Sequence, residues 1–207
     1  MRILLVSDEE DKYLWDFYRP GRLKGIDMIL SAGDLKAEYL SFLVTMANRP
    51  LLYVPGNHDG SYLQRPPEGC QCIDGKLVTV GGLRILGLGG SVLYNGGPNQ
   101  YTEQEMRRRI RRLRLKLALA GGVDIVLTHA PVRGFGDEDN LTHRGFAAFL
   151  PLLDQYQPRY LVHGHIHQRY GVNRPRCCQY GQTTIVNATG RYILEIEDKP
   201  KDESRTH

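Results

Sequence analysis

Five short aliphatic runs, each stopped by polar residues, constrain this chain more than any other feature. Ile3-Leu4-Leu5-Val6 leads to Asp8, Met28-Ile29-Leu30 to Gly33-Asp34, Ile125-Val126-Leu127 to His129, and Tyr160-Leu161-Val162 to Gly164-His165-Ile166-His167. A fifth run closes at Val54-Pro55 and opens into Gly56-Asn57-His58-Asp59. Continuous aliphatic runs of this length suit strands covered on both faces. In open α/β sheets ligands bind beyond the carboxyl ends of the strands, so the five polar clusters are expected to meet in one crevice. Asp, Asn and His brought together point to a metal ion. Carboxylate, amide oxygen and imidazole suit Mn, Fe, Zn or Ni, and clusters without thiolates argue against a structural zinc site. His58 adds a group that can move a proton near neutral pH.

The remaining pattern fills in an α/β chain. Strands are expected at 2–7, 26–31, 51–55, 124–128 and 160–162, and a helix at 35–47 with Leu40, Leu43, Val44 and Ala47 on one face. Lys76 to Val80 and Arg84 to Leu88 flank Gly81-Gly82, a two-residue hairpin signal, and are assigned to a second, more antiparallel sheet. Thr102-Glu103-Gln104-Glu105 reads as a capping box, and Gly121-Gly122 as the stop of the long helix that follows. Its apolar stripe is Met106, Ile110, Leu113, Leu117 and Ala120. Residues 144–156 read as a helix broken at Pro151. Thr183 to Asn187 and Tyr192 to Ile196, with Gly190 between them, read as a last hairpin closing the second sheet.

Residues 13–18 read either as a short helix over the crevice or as core aromatics, and 61–74 as a surface excursion beside the site. The loop from Gly134 to His143 is polar and Gly-bearing, and is expected to form one rim. One domain is expected over 1–197, followed by a charged tail at 198–207.

Much of the formal net charge of +4 comes from Arg107 to Lys116. A basic amphipathic helix can hold phosphates, nucleic acid or an acidic membrane, but the run carries no aromatic residue on which a base could stack. A solvated face is the preferred reading, and nucleic acid is not favoured as a partner. No apolar segment is long enough to span a bilayer and no signal peptide precedes the first strand, so a cytoplasmic location is expected. Cys70, Cys72, Cys177 and Cys178 read as free thiols in preference to a second zinc site, because neither pair has the usual two-residue spacing.

Taken in order, the blocks resemble the calcineurin-like metallophosphoesterases. That family's pattern is Asp-x-His, Gly-Asp, Gly-Asn-His-Asp/Glu, a lone His after a strand, and Gly-His-x-His; four of the five are intact between Asp8 and His167. The resemblance implies a four-layer α/β/β/α sandwich of two mixed sheets flanked by helices. It also implies two divalent metal ions. Asp34 would bridge them, Asn57, His129 and His165 would complete one site, Asp8 and His167 would belong to the other, and His58 would be the general acid. Asp59 would orient His58 or brace the loop backbone.

The first block departs from the pattern, with Glu10 where a His is expected. Glu10 as an oxygen ligand is the first reading, a neighbouring acid the second and a weak second site the third. Glu9 and Asp11 read as solvated. A site richer in oxygen leans toward Mn, with Fe, Zn, Ni or Mg as alternatives. The implied reaction is hydrolysis of a phosphodiester or small phosphomonoester by a hydroxide bridging the metals. Gly33-Asp34 continues as Leu35-Lys36-Ala37, not as the Gly-Asp-x-x-Asp-Arg-Gly of the protein phosphatases that share the site. The rival readings are a binding scaffold that kept the fold, and a nuclease-like enzyme using the arginine helix.

Overall fold

The computed structural model describes residues 1–167 and 175–197; the expected tail at 198–207 lies outside them. The strands are Arg2–Ser7 (β1), Met28–Ser31 (β2), Leu51–Tyr53 (β3), Gln71–Cys72 (β4), Leu77–Val80 (β5), Leu83–Leu88 (β6), Ser91–Val92 (β7), Gln100–Tyr101 (β8), Ile125–Thr128 (β9), Tyr160–His163 (β10), Cys177–Tyr180 (β11), Thr183–Asn187 (β12) and Gly190–Glu195 (β13). The helices are Ala37–Ala47 (α1), Glu103–Leu119 (α2) and Phe149–Tyr156 (α3).

One sheet has the order β13-β1-β2-β3-β4 and the other β11-β12-β10-β9-β6-β5, while β7 and β8 pair separately. In the first sheet β1 to β4 run parallel and β13 lies antiparallel to β1. The second sheet is parallel through β12, β10, β9 and β6 and antiparallel only at its two edges. It is therefore mixed and less antiparallel than its first hairpin suggests. That hairpin forms as expected: Val80 pairs with Leu83, and Gly81 and Gly82 both take positive φ, 58° and 78°, as a primed turn requires.

Alternation along each strand builds the layers. Ile3, Leu5, Leu30 and Leu52 face Ile125, Leu127, Val162 and Val186 across the space between the sheets. The opposite side of the first sheet, with Leu4, Val6 and Ile29, packs on Tyr39, Leu40 and Leu43 of α1. The opposite side of the second, with Val126 and Leu161, packs on Met106, Leu113 and Leu117 of α2 and Phe149 and Leu152 of α3. The result is the α/β/β/α sandwich. No described helix is long and apolar enough to cross a membrane.

Three local expectations need correction, and one of two alternatives is decided. The last two strands are not a hairpin: β12 pairs with β11 and β10, whereas β13 crosses to β1. Gly190, at φ 72°, turns the chain between sheets, and Leu194 and Ile196 then fill the core from the first sheet's side. For residues 13–18 the core alternative holds: 13–17 form turns, with Trp15 packed at 5.1 Å from Tyr39 and Tyr18 edge-on to Phe42 of α1. Pro151 does not break a helix, because α3 starts only at Phe149 and places Pro151 in its first turn, where an N–H has no intrahelical partner. Ala120 is exposed at the end of the α2 stripe. The cysteine pairs stay apart, Cys70 and Cys72 beside the outer layer of the first sheet and Cys178 beside that of the second.

Candidate metal centre

Because β1, β2 and β3 are parallel in one sheet and β9 and β10 in the other, their carboxyl ends open onto the same edge of the sandwich. Three residues at those ends, Asp8, Asp34 and His165, hold φ of 62°, 56° and 67°. Left-handed backbone is costly for residues with a Cβ and persists where surrounding structure enforces it, most often at functional sites. Glycines do the enforcing here. A Cβ on Gly33 would sit 2.3 Å from Gly56 N, one on Gly56 1.9 Å from Asp34 Oδ1, and one on Gly164 2.0 Å from Ser7 Oγ. The loops after β2, β3 and β10 thus touch their neighbours closely, with no room for a side chain between them.

Asp34, His129 and His165 each bring a ligand atom within 4.8 Å of the others. His129 Nε2 lies 3.3 Å from Asp34 Oδ2, 3.0 Å from Asn57 Oδ1 and 3.1 Å from His165 Nδ1. The outer nitrogens of both rings have carbonyl partners. His129 Nδ1 is 2.7 Å from Ala32 O, and His165 Nε2 is 2.7 Å from Thr142 O. Each outer N–H donates to its carbonyl, so the inner nitrogens, His129 Nε2 and His165 Nδ1, face each other and would offer lone pairs to a cation once His129 gives up its inner proton. Asn57 Nδ2 donates to Tyr94 Oη at 3.2 Å, which leaves its carbonyl oxygen facing the same point. Two inward ring nitrogens, a carboxylate and an amide oxygen aimed at one spot are a donor set that suits a divalent cation.

The electrostatics agree. Burial disfavours a charge on His129, but Asp34 beside it more than offsets this and raises the imidazole to about 9. Burial likewise works against the Asp34 carboxylate, and His129 nevertheless holds it down to about 2. His165 is lowered to about 3, by burial first and then by a charge on His129. The cavity therefore stabilises one positive charge beside Asp34 and resists a second on the facing ring.

Asp8 lies next to this group. Its two oxygens accept from His165 N at 3.1 and 2.9 Å, Thr189 Oγ1 donates at 3.3 Å, and burial raises its pKa. His167 is exposed, with Nδ1 3.1 Å from Glu9 Oε1. Glu10 goes elsewhere: its Oε1 accepts from Lys36 N at 3.1 Å, at the start of α1, where unpaired N–H groups and the helix dipole favour an anion. The acid that meets His167 is therefore Glu9, which is exposed, as the sequence reading has it.

His58 is exposed at the mouth, its Nε2 3.9 Å from Asp34 Oδ2, and its backbone N donates to Asp34 Oδ1 at 2.8 Å. Of the two roles expected for Asp59, the geometry favours bracing: its buried Oδ2 accepts from Asp34 N at 2.7 Å and Gly56 N at 2.8 Å. Burial raises its pKa to about 6. Sequence reasoning missed Tyr94 and the carbonyls of Ala32 and Thr142; the glycines that precede Tyr94 were the one available signal for that loop. His143, at the end of the loop expected to form a rim, is half-buried with its ring 5.5 Å from that of His165.

Residues 1–169 match the family model described as calcineurin-like phosphoesterase. The chain is 25% identical over 195 residues to the UPF0046 protein K07C11.7 of Caenorhabditis elegans, covering 78% of this chain and 62% of that one. It is 39% identical over 71 residues to T07D4.2 of the same organism, covering 33% of this chain and 17% of the relative. The chain thus spans less than two thirds of the length of these relatives. Among solved structures, TT1561 of Thermus thermophilus superposes with a TM-score of 0.62 at 18% identity, over 91% of this chain and 89% of that one. A putative 5'-nucleotidase from Staphylococcus aureus superposes with a TM-score of 0.53 at 12% identity, over 95% of this chain and 51% of that one. At these identities the likeness concerns the fold.

Proposed function

The chain belongs to the calcineurin-like phosphoesterase family, and from that premise we propose that residues 1–197 form one domain that hydrolyses a phosphodiester or small phosphomonoester with two divalent cations. The observation that carries the proposal is the pair of inward-facing ring nitrogens, His129 Nε2 and His165 Nδ1, 3.1 Å apart beside Asp34. Asp34, Asn57, His129 and His165 would hold one cation. Asp8 and His167, with Glu9 or Glu10, would hold the other, with Asp34 reaching both. Such cations lower the pKa of water and neutralise phosphate oxygens.

The chain's own residues supply the rest. Ala32 O and Thr142 O fix the two ring orientations, and Tyr94 fixes the Asn57 amide. His58, held at the mouth by its backbone bond to Asp34, delivers a proton to the leaving alkoxide, a contribution of about two to four powers of ten in rate. Its exposure lets the imidazole reach a substrate without moving the loop. The added oxygen ligand from Glu9 or Glu10 makes Mn the favoured ion.

The test is metal analysis followed by turnover. Two Mn per chain and hydrolysis of bis(p-nitrophenyl) phosphate that falls at least about a hundredfold in His58→Ala is the expected result. Metal bound normally with no turnover of any phosphoester would favour a binding protein that kept the fold, a reading to which Glu10's attachment to Lys36 N lends some support.

A further inference from the structure

The sandwich leaves one strongly charged surface that the catalytic reading does not use. On α2, Arg107, Arg108, Arg111, Arg112 and Arg114 all reach solvent. The helix carries only two acids, and both are engaged in its first turn. Glu105 closes the capping box on Thr102, and Glu103 accepts from the backbone N–H groups of Ala147 and Ala148. Arg109 turns inward onto Asp74 and the Tyr101 ring. Arg107, Arg111 and Arg112 have no hydrogen bond or ion pair among the described residues, so their charge has no counterion there.

The same face carries large apolar side chains. Leu115 and Leu119, one turn apart, are 71% and 81% exposed. At 100° per residue, Arg108, Arg111 and Arg112 lie on the same side of the helix as these leucines. Further round the helix, past Arg107 and Arg111, a groove of about 220 Å³ between α2 and α3 is lined by Ile110, Pro151 and Leu152. Solvent explains the arginines but not two neighbouring leucines held in water. A second copy of the chain would set arginine against arginine. Nucleic acid would match the charge, yet it gives the leucines nothing to bury against and finds no aromatic platform.

We propose that this face of α2 docks on an anionic lipid surface, with Leu115 and Leu119 entering the boundary between headgroups and acyl chains while the arginines meet lipid phosphates. A cationic helix with an apolar strip binds in this way, and each Arg near an anionic leaflet contributes about a fivefold gain in partitioning. The proposal is independent of the phosphoesterase reading.

The test is co-sedimentation of the full chain with vesicles of phosphatidylcholine alone and of phosphatidylcholine with about one third phosphatidylglycerol. The expected result is binding only to the anionic vesicles, weakening steeply as salt is raised. R108E/R111E/R112E should lose at least about a hundredfold in partitioning, and L115A/L119A at least about tenfold with the salt dependence retained. All five positions are exposed, and unchanged melting of both variants checks that the fold is intact. Absence of binding to anionic vesicles, or binding that L115A/L119A leaves unchanged, would overturn the proposal. So would a duplex DNA or RNA oligonucleotide that binds more tightly than the vesicles with no dependence on the leucines.

Discussion

The carboxylate of Asp59 accepts the backbone N–H of Asp34 at 2.7 Å, and so ties the loop after β3 to the loop after β2. The same oxygen accepts from Gly56 N at 2.8 Å, which makes Asp59 the brace that holds Asp34 in its left-handed conformation. Asp59→Ala leaves two buried N–H groups without a partner, at about 1–3 kcal/mol each, so a loss of about 3 kcal/mol is expected in chemical denaturation. Asp59→Asn keeps one acceptor oxygen and should lose less than half as much. If Asp59 oriented His58 instead, Asp59→Ala would lower turnover with little change in stability.

Gly56→Ala should be more damaging than its size suggests. The new Cβ would meet Asp34 Oδ1 at 1.9 Å and His129 Cε1 at 2.7 Å, both held in place by other bonds. Overpacking of this kind costs about 1–3 kcal/mol. Because the colliding atoms belong to the candidate ligands, cation affinity should fall along with melting temperature. Titration calorimetry of Mn into the variant, compared with wild type, measures the first; a Gly56→Ala chain that binds Mn normally would mean that Asp34 and His129 are not the ligands.

The same contacts explain why some of the site was legible in sequence and some was not. Asp34, Asn57, His129 and His165 could be picked out because each follows an aliphatic run, and parallel strands deliver their ends to one edge whatever the loops do. Glu9 and Glu10 could not be ordered, since which of two adjacent acids meets His167 depends on the left-handed φ of Asp8, and nothing in Ser7-Asp8-Glu9 announces it. The crossing of β13 was hidden for a related reason. Alternating residues from 190 to 195 satisfy either sheet, and only the open edge of β1 decides between them. Ala32 O and Thr142 O were invisible because every residue has a carbonyl.

Cys70 offers a check on the outer layer of the first sheet. Burial pushes its thiol up from 9.0 to about 11, and its Sγ donates to Glu68 O at 3.5 Å. The folded state keeps this proton through a range in which the unfolded chain releases it. Any stability tied to the thiol is thus fully present below pH 9 and is lost as pH rises toward 11. The thiolate is the nucleophile, so labelling of Cys70 by iodoacetamide at about pH 8 should be about tenfold slower than that of the exposed Cys177. Peptide mass spectrometry after timed quenching resolves the two sites; equal rates would mean that β4 opens in solution.

Tyr94 is the outer support of Asn57, and its hydroxyl can be removed without disturbing the core. Tyr94→Phe deletes the 3.2 Å bond from Asn57 Nδ2 and leaves the amide free to rotate its oxygen away from His129. Partners that orient a metal ligand typically contribute about 10- to 100-fold in affinity, whereas one partly exposed hydrogen bond contributes only about 1 kcal/mol to folding. The variant should therefore melt within a few degrees of wild type but bind Mn about tenfold more weakly. Asn57→Ala should do the same or worse, and in that background Tyr94→Phe should have no further effect, because the hydroxyl then has no amide to hold. Additive losses in the double variant would show that Tyr94 acts on the site by a route other than Asn57.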